Sequence, residues 1–140
     1  MKKVYNIFIP FKGFMAITIW PFIFVRLEHK RNFNKVDENH ENIHGEQQKE
    51  MLPIGIALAV VLFLTGCGWW SMLAVPLFFW WYFIEWLVRI PLNGFDSHKA
   101  YRAISFEQEA FFFERKTTYL EKRHLYAWTK YIGKTTFKTA

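Results

Sequence analysis

The 140-residue chain has a single cysteine, Cys67, and few residues that interrupt regular structure, with 7 glycines and 5 prolines. One cysteine excludes a disulfide-stabilised scaffold. The sequence also contains no glycine-rich phosphate loop, no Ser/His/Asp nucleophile pattern and no internal repeat. Aromatic residues make up 21% of the chain, which excludes a disordered polypeptide. The length favours a single domain over residues 1–140.

Charge is nearly absent from Met51–Val88, where 38 residues contain one charged side chain, Glu85. A helix that crosses a bilayer needs about 20 apolar residues. The segment therefore predicts a transmembrane helical hairpin over residues 52–88, with a turn at Thr65–Gly68. The alternative is a buried hairpin inside a soluble core, but so long an uncharged run is unusual for a soluble fold.

Basic residues flank this hairpin on both sides. Residues 1–51 contain 8 Lys/Arg, residues 93–140 contain 9, and the turn contains none. Because basic residues are retained in cytoplasmic segments, we expect an integral inner-membrane protein with both flanks in the cytoplasm. The net charge of +6 then reflects topology and attraction to the lipid bilayer. Nucleic-acid binding is not expected, since no nucleic-acid motif or basic stripe is visible.

The apolar residues near the amino terminus have the composition of β-strands. Aromatic and β-branched side chains predict a β hairpin over residues 14–27, with strands Phe14–Ile19 and Phe22–Leu27 around Trp20–Pro21. A third membrane segment over residues 14–25 is the alternative. A signal peptide is not expected, because this run contains a proline and lacks a small-residue cleavage site.

A metal-binding motif lies between the two apolar regions. His40 and His44 form HExxH with Glu41, on a helix predicted over residues 36–50. Residues four apart share one face of a helix, so both imidazoles can bind one zinc ion with Glu41 as general base. The alternative is a polar amphipathic helix that lies on the membrane.

A third ligand has to come from the same side of the membrane, and a later helix provides candidates. Ser105 and Gln108 form a predicted capping box at its start. Glu107 and Glu109 are about 200° apart on this helix, so only one can face the metal. The small Ala110 on the face of Glu107 allows a close approach, so Glu107 is the predicted ligand and Glu109 the reserve.

The order of these elements resembles a known family. HExxH, two apolar spans and then a helix with Glu-x-x-Ala, here Glu107–Ala110, is the order in membrane-embedded gluzincin peptidases of the HtpX and CAAX-prenyl-protease type. The resemblance covers a little over half of the chain. The stretches 39–48 and 98–110 are also similar to a group of short bacterial membrane proteins.

The resemblance implies zinc bound by His40, His44 and Glu107, with Glu41 catalytic. It also implies peptidase activity within a gluzincin-like domain. One position departs from the family, because the larger peptidases place an Asp four residues after the ligand Glu and this chain has Phe111 there. That carboxylate supports the site in the family, so the departure leaves the orientation of the histidines without an assigned partner.

Residues just before the Glu107 helix are candidates for a role in catalysis. Tyr101 and His98 could donate a hydrogen bond to the oxyanion of a tetrahedral intermediate, with anchoring at the membrane surface as the alternative. Glu85 is expected to pair with Arg89 four residues later, or else to take part in the cleft. A second capping box at Thr118 predicts a further helix that ends near residue 133.

Together these observations predict an α+β fold, mainly α. Its expected parts are a short β hairpin, the HExxH helix, the transmembrane hairpin and two helices within residues 105–133. The expected function is a zinc-dependent membrane metallopeptidase that cuts peptides or membrane-protein segments near the cytoplasmic membrane surface. The alternative is a non-catalytic membrane protein that binds metal or anchors a partner.

Overall fold

The computed structural model describes residues 1–134, which are mainly helical with one small sheet. Strands β2 (Ala16–Ile19) and β3 (Phe22–Arg26) form the expected antiparallel hairpin, with Ile17 opposite Phe24. A membrane segment over residues 14–25 is therefore wrong. The aromatic and β-branched residues of this stretch are used in strand pairing.

The sheet has a third strand that the sequence did not indicate. Strand β1 (Lys2–Asn6) pairs in parallel with β3, with Val4 opposite Phe24, so the strand order is β1-β3-β2. The short, lysine-rich sequence of β1 resembles a signal-peptide start more than a strand. Its position beside β3 leaves β2 at the other edge of the sheet, next to the first helix.

Helix α1 (Lys35–Leu62) is continuous and contains both the HExxH motif and the first apolar run. The Asn34 side chain caps it by accepting hydrogen bonds from two backbone amides of the first turn. A separate helix ending at residue 50 is therefore wrong. Pro53 removes one helical hydrogen bond, but the helix continues through it, with Met51 and Gly55 on either side buried.

A turn of irregular helix over residues 63–74 reverses the chain into α2 (Leu77–Leu92). Gly66 and Gly68 adopt positive φ in this turn, at 98° and 55°, which glycine tolerates best. The returning chain passes so close to Gly55 that a Cβ there would lie 2.7 Å from the Ala74 carbonyl oxygen. Gly55 therefore sets the separation of the two arms.

One helical stretch of the described residues, Lys35–Ala74, is long and apolar enough to cross a membrane. Only 17% of its most apolar window is buried inside the protein. Helix α2 has 16 residues, and its apolar side chains are also largely exposed. Exposed large apolar side chains include Ile54, Ile56, Val60, Val61, Leu64, Trp69, Trp70, Phe83, Ile84, Leu87 and Val88.

The remaining elements are short helices. They are α3 (Ser97–Arg102), α4 (Ser105–Phe113), α5 (Tyr119–Lys122) and a 3-10 turn at Ala127–Tyr131. A single C-terminal helix reaching residue 133 is wrong, because the chain becomes extended at Arg123. The core joins α1, α2, α4 and the last turn through Met51, Phe78, Ile104, Phe106 and Trp128.

Neither predicted capping box forms. The N-cap of α4 is Ile104, and Ser105 is the first helical residue. The Ser105 backbone amide and hydroxyl donate instead to the Glu85 carboxylate, at 3.0 and 2.6 Å. Glu85 also forms the expected pair with Arg89, at 3.1 Å. Thr118 precedes α5 but makes no side-chain cap.

Candidate metal centre

Helices α1 and α4 bring three potential ligands together. The Nε2 atoms of His40 and His44, one helical turn apart on α1, lie 3.1 Å from each other. The Glu107 carboxylate faces both, with Oε1 3.1 Å from His44 Nε2 and Oε2 3.3 Å from His40 Nε2. These three side chains form a group that could hold a metal ion.

The geometry of this group fits a small tetrahedral cation. Ligand atoms at about 2.0–2.1 Å from a tetrahedral zinc ion are separated by about 3.3–3.4 Å, close to the 3.1 Å between the two Nε2 atoms. Each oxygen of the Glu107 carboxylate lies at a similar distance from one of the two histidines. Glu107 is 1% exposed, and its Oε2 accepts no well-formed hydrogen bond from the described residues, although His40 Nε2 is near. Two imidazoles and one carboxylate are also a donor set that suits zinc.

The outward nitrogen of each histidine has its own partner, which the sequence did not reveal. His40 Nδ1 lies 3.0 Å from Glu114 Oε2, at the end of α4. His44 Nδ1 lies 2.8 Å from Gln47 Oε1, on α1 itself. Such contacts orient the imidazoles and direct the Nε2 lone pairs toward a shared ion. Glu114 thus supplies the carboxylate that Phe111 does not.

Charge is concentrated in this buried group. Burial alone lowers the pKa of His40, but the Glu107 and Glu114 carboxylates that contact the ring outweigh burial and raise the pKa to about 10. Burial also opposes charge on His44, whose pKa the Glu107 charge raises above its usual value. Burial raises the pKa of Glu107, but the two histidines hold it below the usual range. A bound cation would therefore have to displace a proton from His40.

Glu41, the central acid of the motif, is held by the sheet. Thr18 on β2 donates its hydroxyl to Glu41 Oε2, at 2.7 Å, and lies 3.0 Å from the Glu41 carbonyl oxygen. Gln48, also on α1, fixes the same strand by bonding to the Thr18 carbonyl and the Trp20 amide. Strand β2 therefore runs along α1 beside the motif. The Gln48 side chain occupies hydrogen-bonding groups at the outer edge of β2.

Two tyrosines adjoin Glu107. The Tyr82 hydroxyl of α2 donates a hydrogen bond to Glu107 Oε1, at 2.8 Å. The sequence did not indicate this contact, because Tyr82 lies within the apolar run. The Tyr101 ring lies 6.2 Å from the Tyr82 ring. Burial and the Glu107 charge raise the pKa of Tyr101 well above its usual value. His98, by contrast, is exposed on α3, and its side chain contacts none of these groups within the described residues.

Glu109, the reserve ligand, forms hydrogen bonds with a different set of side chains. It is fully buried and accepts hydrogen bonds from Tyr119, Arg123 and Gln47. Arg123 bridges it to Glu50 on α1. Of the two acidic residues proposed from the sequence, Glu107 is the one that faces the histidines.

Comparison with known proteins does not place this chain. No protein-family model, no curated protein and no solved structure matches it. The chemistry of the site is therefore inferred from its own residues.

Proposed function

We propose that this chain is a zinc-dependent metallopeptidase that hydrolyses peptide bonds near the cytoplasmic surface of the inner membrane. One observation carries the proposal: His40, His44 and Glu107 converge on one point, with the two Nε2 atoms 3.1 Å apart, near the edge of a tetrahedral zinc site, and a Glu107 oxygen 3.1–3.3 Å from each of them. Three protein ligands leave a fourth position for substrate or water, as in catalytic rather than structural zinc sites.

The chain's own residues can be given roles in hydrolysis. Zinc, when bound, supplies a Lewis acid that makes water nucleophilic near neutral pH. Glu41 accepts the proton of the attacking water and returns it to the leaving amine, which releases the two peptide products. The Thr18 hydroxyl holds one carboxylate oxygen of Glu41 in place. The raised pKa of Tyr101 keeps its hydroxyl protonated, so it can donate to the oxyanion that forms.

The membrane location is supported by the outer surface of the helical hairpin. Side chains such as Val61, Leu64 and Trp70 are more than half exposed, and burying such area in lipid is favourable. The two histidine ligands lie on the polar half of α1, before the apolar run begins, and Glu107 reaches them from α4. A site so placed suits extended peptides or membrane-protein segments that emerge at the membrane surface.

Metal content provides the first test. We expect the purified protein, in detergent, to hold one zinc ion per chain, measured by elemental analysis. His40→Ala should lose this zinc because the ligand set is broken. His98→Ala, which removes an exposed histidine, is the matched control and should retain it. Absence of zinc from the wild-type protein, or retention by His40→Ala, would contradict the proposal.

Glu41 provides the test of catalysis. Glu41→Gln should retain zinc and lower hydrolysis of a fluorescent casein substrate and of transmembrane peptides by about 10²–10⁴-fold, the usual contribution of a general base. Glu46→Gln, on the same helix, is the control and should remain active. If zinc binds and Glu41→Gln changes no proteolysis, the protein is a non-catalytic metal-binding membrane protein.

A further inference from the structure

Gln47 is a fully buried amide between α1 and α4. Its Oε1 lies 2.8 Å from His44 Nδ1. Its Nε2 donates to the Phe106 carbonyl oxygen, at 3.1 Å, and to Glu109 Oε2, at 3.0 Å. The side chain therefore uses both ends of its amide, one toward the metal centre and the other toward α4.

The partners on α4 allow only one orientation of this amide. A backbone carbonyl and a carboxylate accept hydrogen bonds and cannot donate them. Rotation of the Gln47 amide by 180° would direct its oxygen at both the Phe106 carbonyl and the Glu109 carboxylate. Arg123 and Tyr119 donate to Glu109, at 2.6 and 2.7 Å, and so hold it as an acceptor.

This fixed orientation determines what His44 can do. Because Gln47 presents an oxygen to His44 Nδ1, that nitrogen has to carry a proton. In the neutral imidazole the lone pair is then on Nε2, which faces His40 and Glu107.

We propose that Gln47 is a positioning residue that selects the Nδ1–H form of His44 and so directs its Nε2 at the cation. The inference rests on the zinc site proposed above. His40 needs no oriented amide, because its own Nδ1 contacts the Glu114 carboxylate, which is a strong acceptor in either orientation. The acceptor for His44 Nδ1 is instead the Gln47 amide oxygen. This oxygen faces His44 only while α4 fixes the orientation of the amide.

Nitrogen NMR of the ¹⁵N-histidine-labelled protein in micelles tests the proposal directly. His44 is assigned by comparison with His44→Asn. We expect a protonated Nδ1 that exchanges slowly with water in the zinc-loaded protein, and the same Nδ1–H with an unprotonated Nε2 in the metal-free protein at a pH where the ring is neutral. In Gln47→Met the Nδ1 proton should exchange faster in both forms. An unprotonated Nδ1 in the wild-type protein overturns the proposal even if the variant fails to fold.

Zinc affinity gives the second readout, measured by competition with a chelator. We expect Gln47→Met to weaken zinc binding about 10–100-fold, as is usual when such a partner is lost. Gln108→Met removes another buried amide of α4, one that donates to two backbone carbonyls among the described residues, and should change affinity less than about twofold.

Equal losses in the two variants would assign Gln47 a merely structural role and overturn the proposal, as would unchanged affinity in Gln47→Met. If the wild-type protein binds no zinc but its His44 Nδ1 is protonated and protected, the zinc function fails while the orienting contact stands. The two failures are therefore distinguishable.

Discussion

Glu114 contacts His40 from a position seven residues after Glu107. Positions four and seven residues after a ligand both return to its face of a helix. At the fourth position this chain has Phe111, whose ring lies 4.7 Å from the His40 ring. The family resemblance predicts a supporting carboxylate at the fourth position. The spacing of seven was the sequence signal that could have identified Glu114.

Removal of the Glu114 carboxylate should weaken the metal site without breaking it. Glu114→Ala leaves all three ligands in place but frees the His40 ring, so zinc affinity should fall about 10–100-fold. Chelator competition measures the change. Glu121→Ala, which removes an exposed carboxylate from α5, should bind zinc like the wild-type protein. Identical affinities for the two variants would show that Glu114 does not orient His40.

The charge of His40 should make the metal-free protein sensitive to alkaline pH. Its pKa of about 10 in the fold exceeds the ordinary value of 6.5. The stabilising contribution of the proton is therefore complete below pH 6.5 and is lost as the pH rises toward 10. Zinc binding displaces that proton, so zinc affinity should increase over the same interval.

Thermal unfolding between pH 6.5 and 10 checks this expectation. The metal-free wild-type protein should lose stability as the pH rises, whereas His40→Asn should show a flatter dependence. His98→Asn, at an exposed histidine, should keep the wild-type slope. The stabilisation gained on adding zinc should grow with pH, and a decrease would contradict the assigned proton on His40.

At the scale of elements, α1 joins two parts that the sequence separates by composition. Its first half is polar and carries His40 and His44, and its second half is apolar and exposed. Pro53 and Gly55 lie between the two halves, and both residue types weaken a helix. Gly55 instead permits close contact with the returning chain, where a Cβ would meet the carbonyl oxygens of Ala74 and Val75 below 3 Å. That contact depends on the tertiary fold.

Gly55→Ala should separate the two arms of the hairpin. A Gly-to-Ala change inside an exposed helix normally stabilises it by about 1 kcal/mol. Here the added methyl group meets backbone atoms, so we expect a loss of about 1–3 kcal/mol in the free energy of unfolding in detergent. Ile56→Ala, at the exposed neighbouring position, is the control and should be tolerated better. A stabilised Gly55→Ala would contradict this packing.

The start of α4 shows why local signals can mislead. Ser105 and Gln108 have the spacing of a capping box, a pattern that satisfies amides within one helix. In the fold, the Glu85 carboxylate of α2 accepts hydrogen bonds from both the Ser105 amide and the Ser105 hydroxyl. Gln108 bonds to the Ala103 carbonyl instead. A helix beginning here was predictable from the sequence, but the partner that caps it was not.

At the scale of the whole molecule, the hairpin determines which groups can meet. If residues 52–88 enter and leave the bilayer on one side, α4 returns to the polar half of α1. The contacts of His40 and His44 with Glu107 are what we expect when the chain returns to the same side. The exposed Cys67 lies in the turn at the opposite end of the hairpin.

Cysteine labelling in bacterial cells tests this topology. A membrane-impermeant maleimide should label Cys67 in intact spheroplasts, because the turn is expected outside the cytoplasm. In a Cys67→Ser background, Lys122→Cys should be labelled only after permeabilisation, because α5 is expected inside. Labelling of both sites in intact spheroplasts, or of neither, contradicts a hairpin with cytoplasmic flanks.

The sequence by itself determined the features that depend on residue type and near spacing. Residues four apart on a helix share a face whatever surrounds them, so HExxH identified His40 and His44 as a pair. The low charge of residues 51–88 likewise indicated an apolar hairpin. Only the tertiary structure decided the contacts between distant segments. The packing of α4 against α1 decides that Glu107, and not Glu109, faces the histidines. The same packing brings Gln47 and Glu114 into their contacts with His44 and His40.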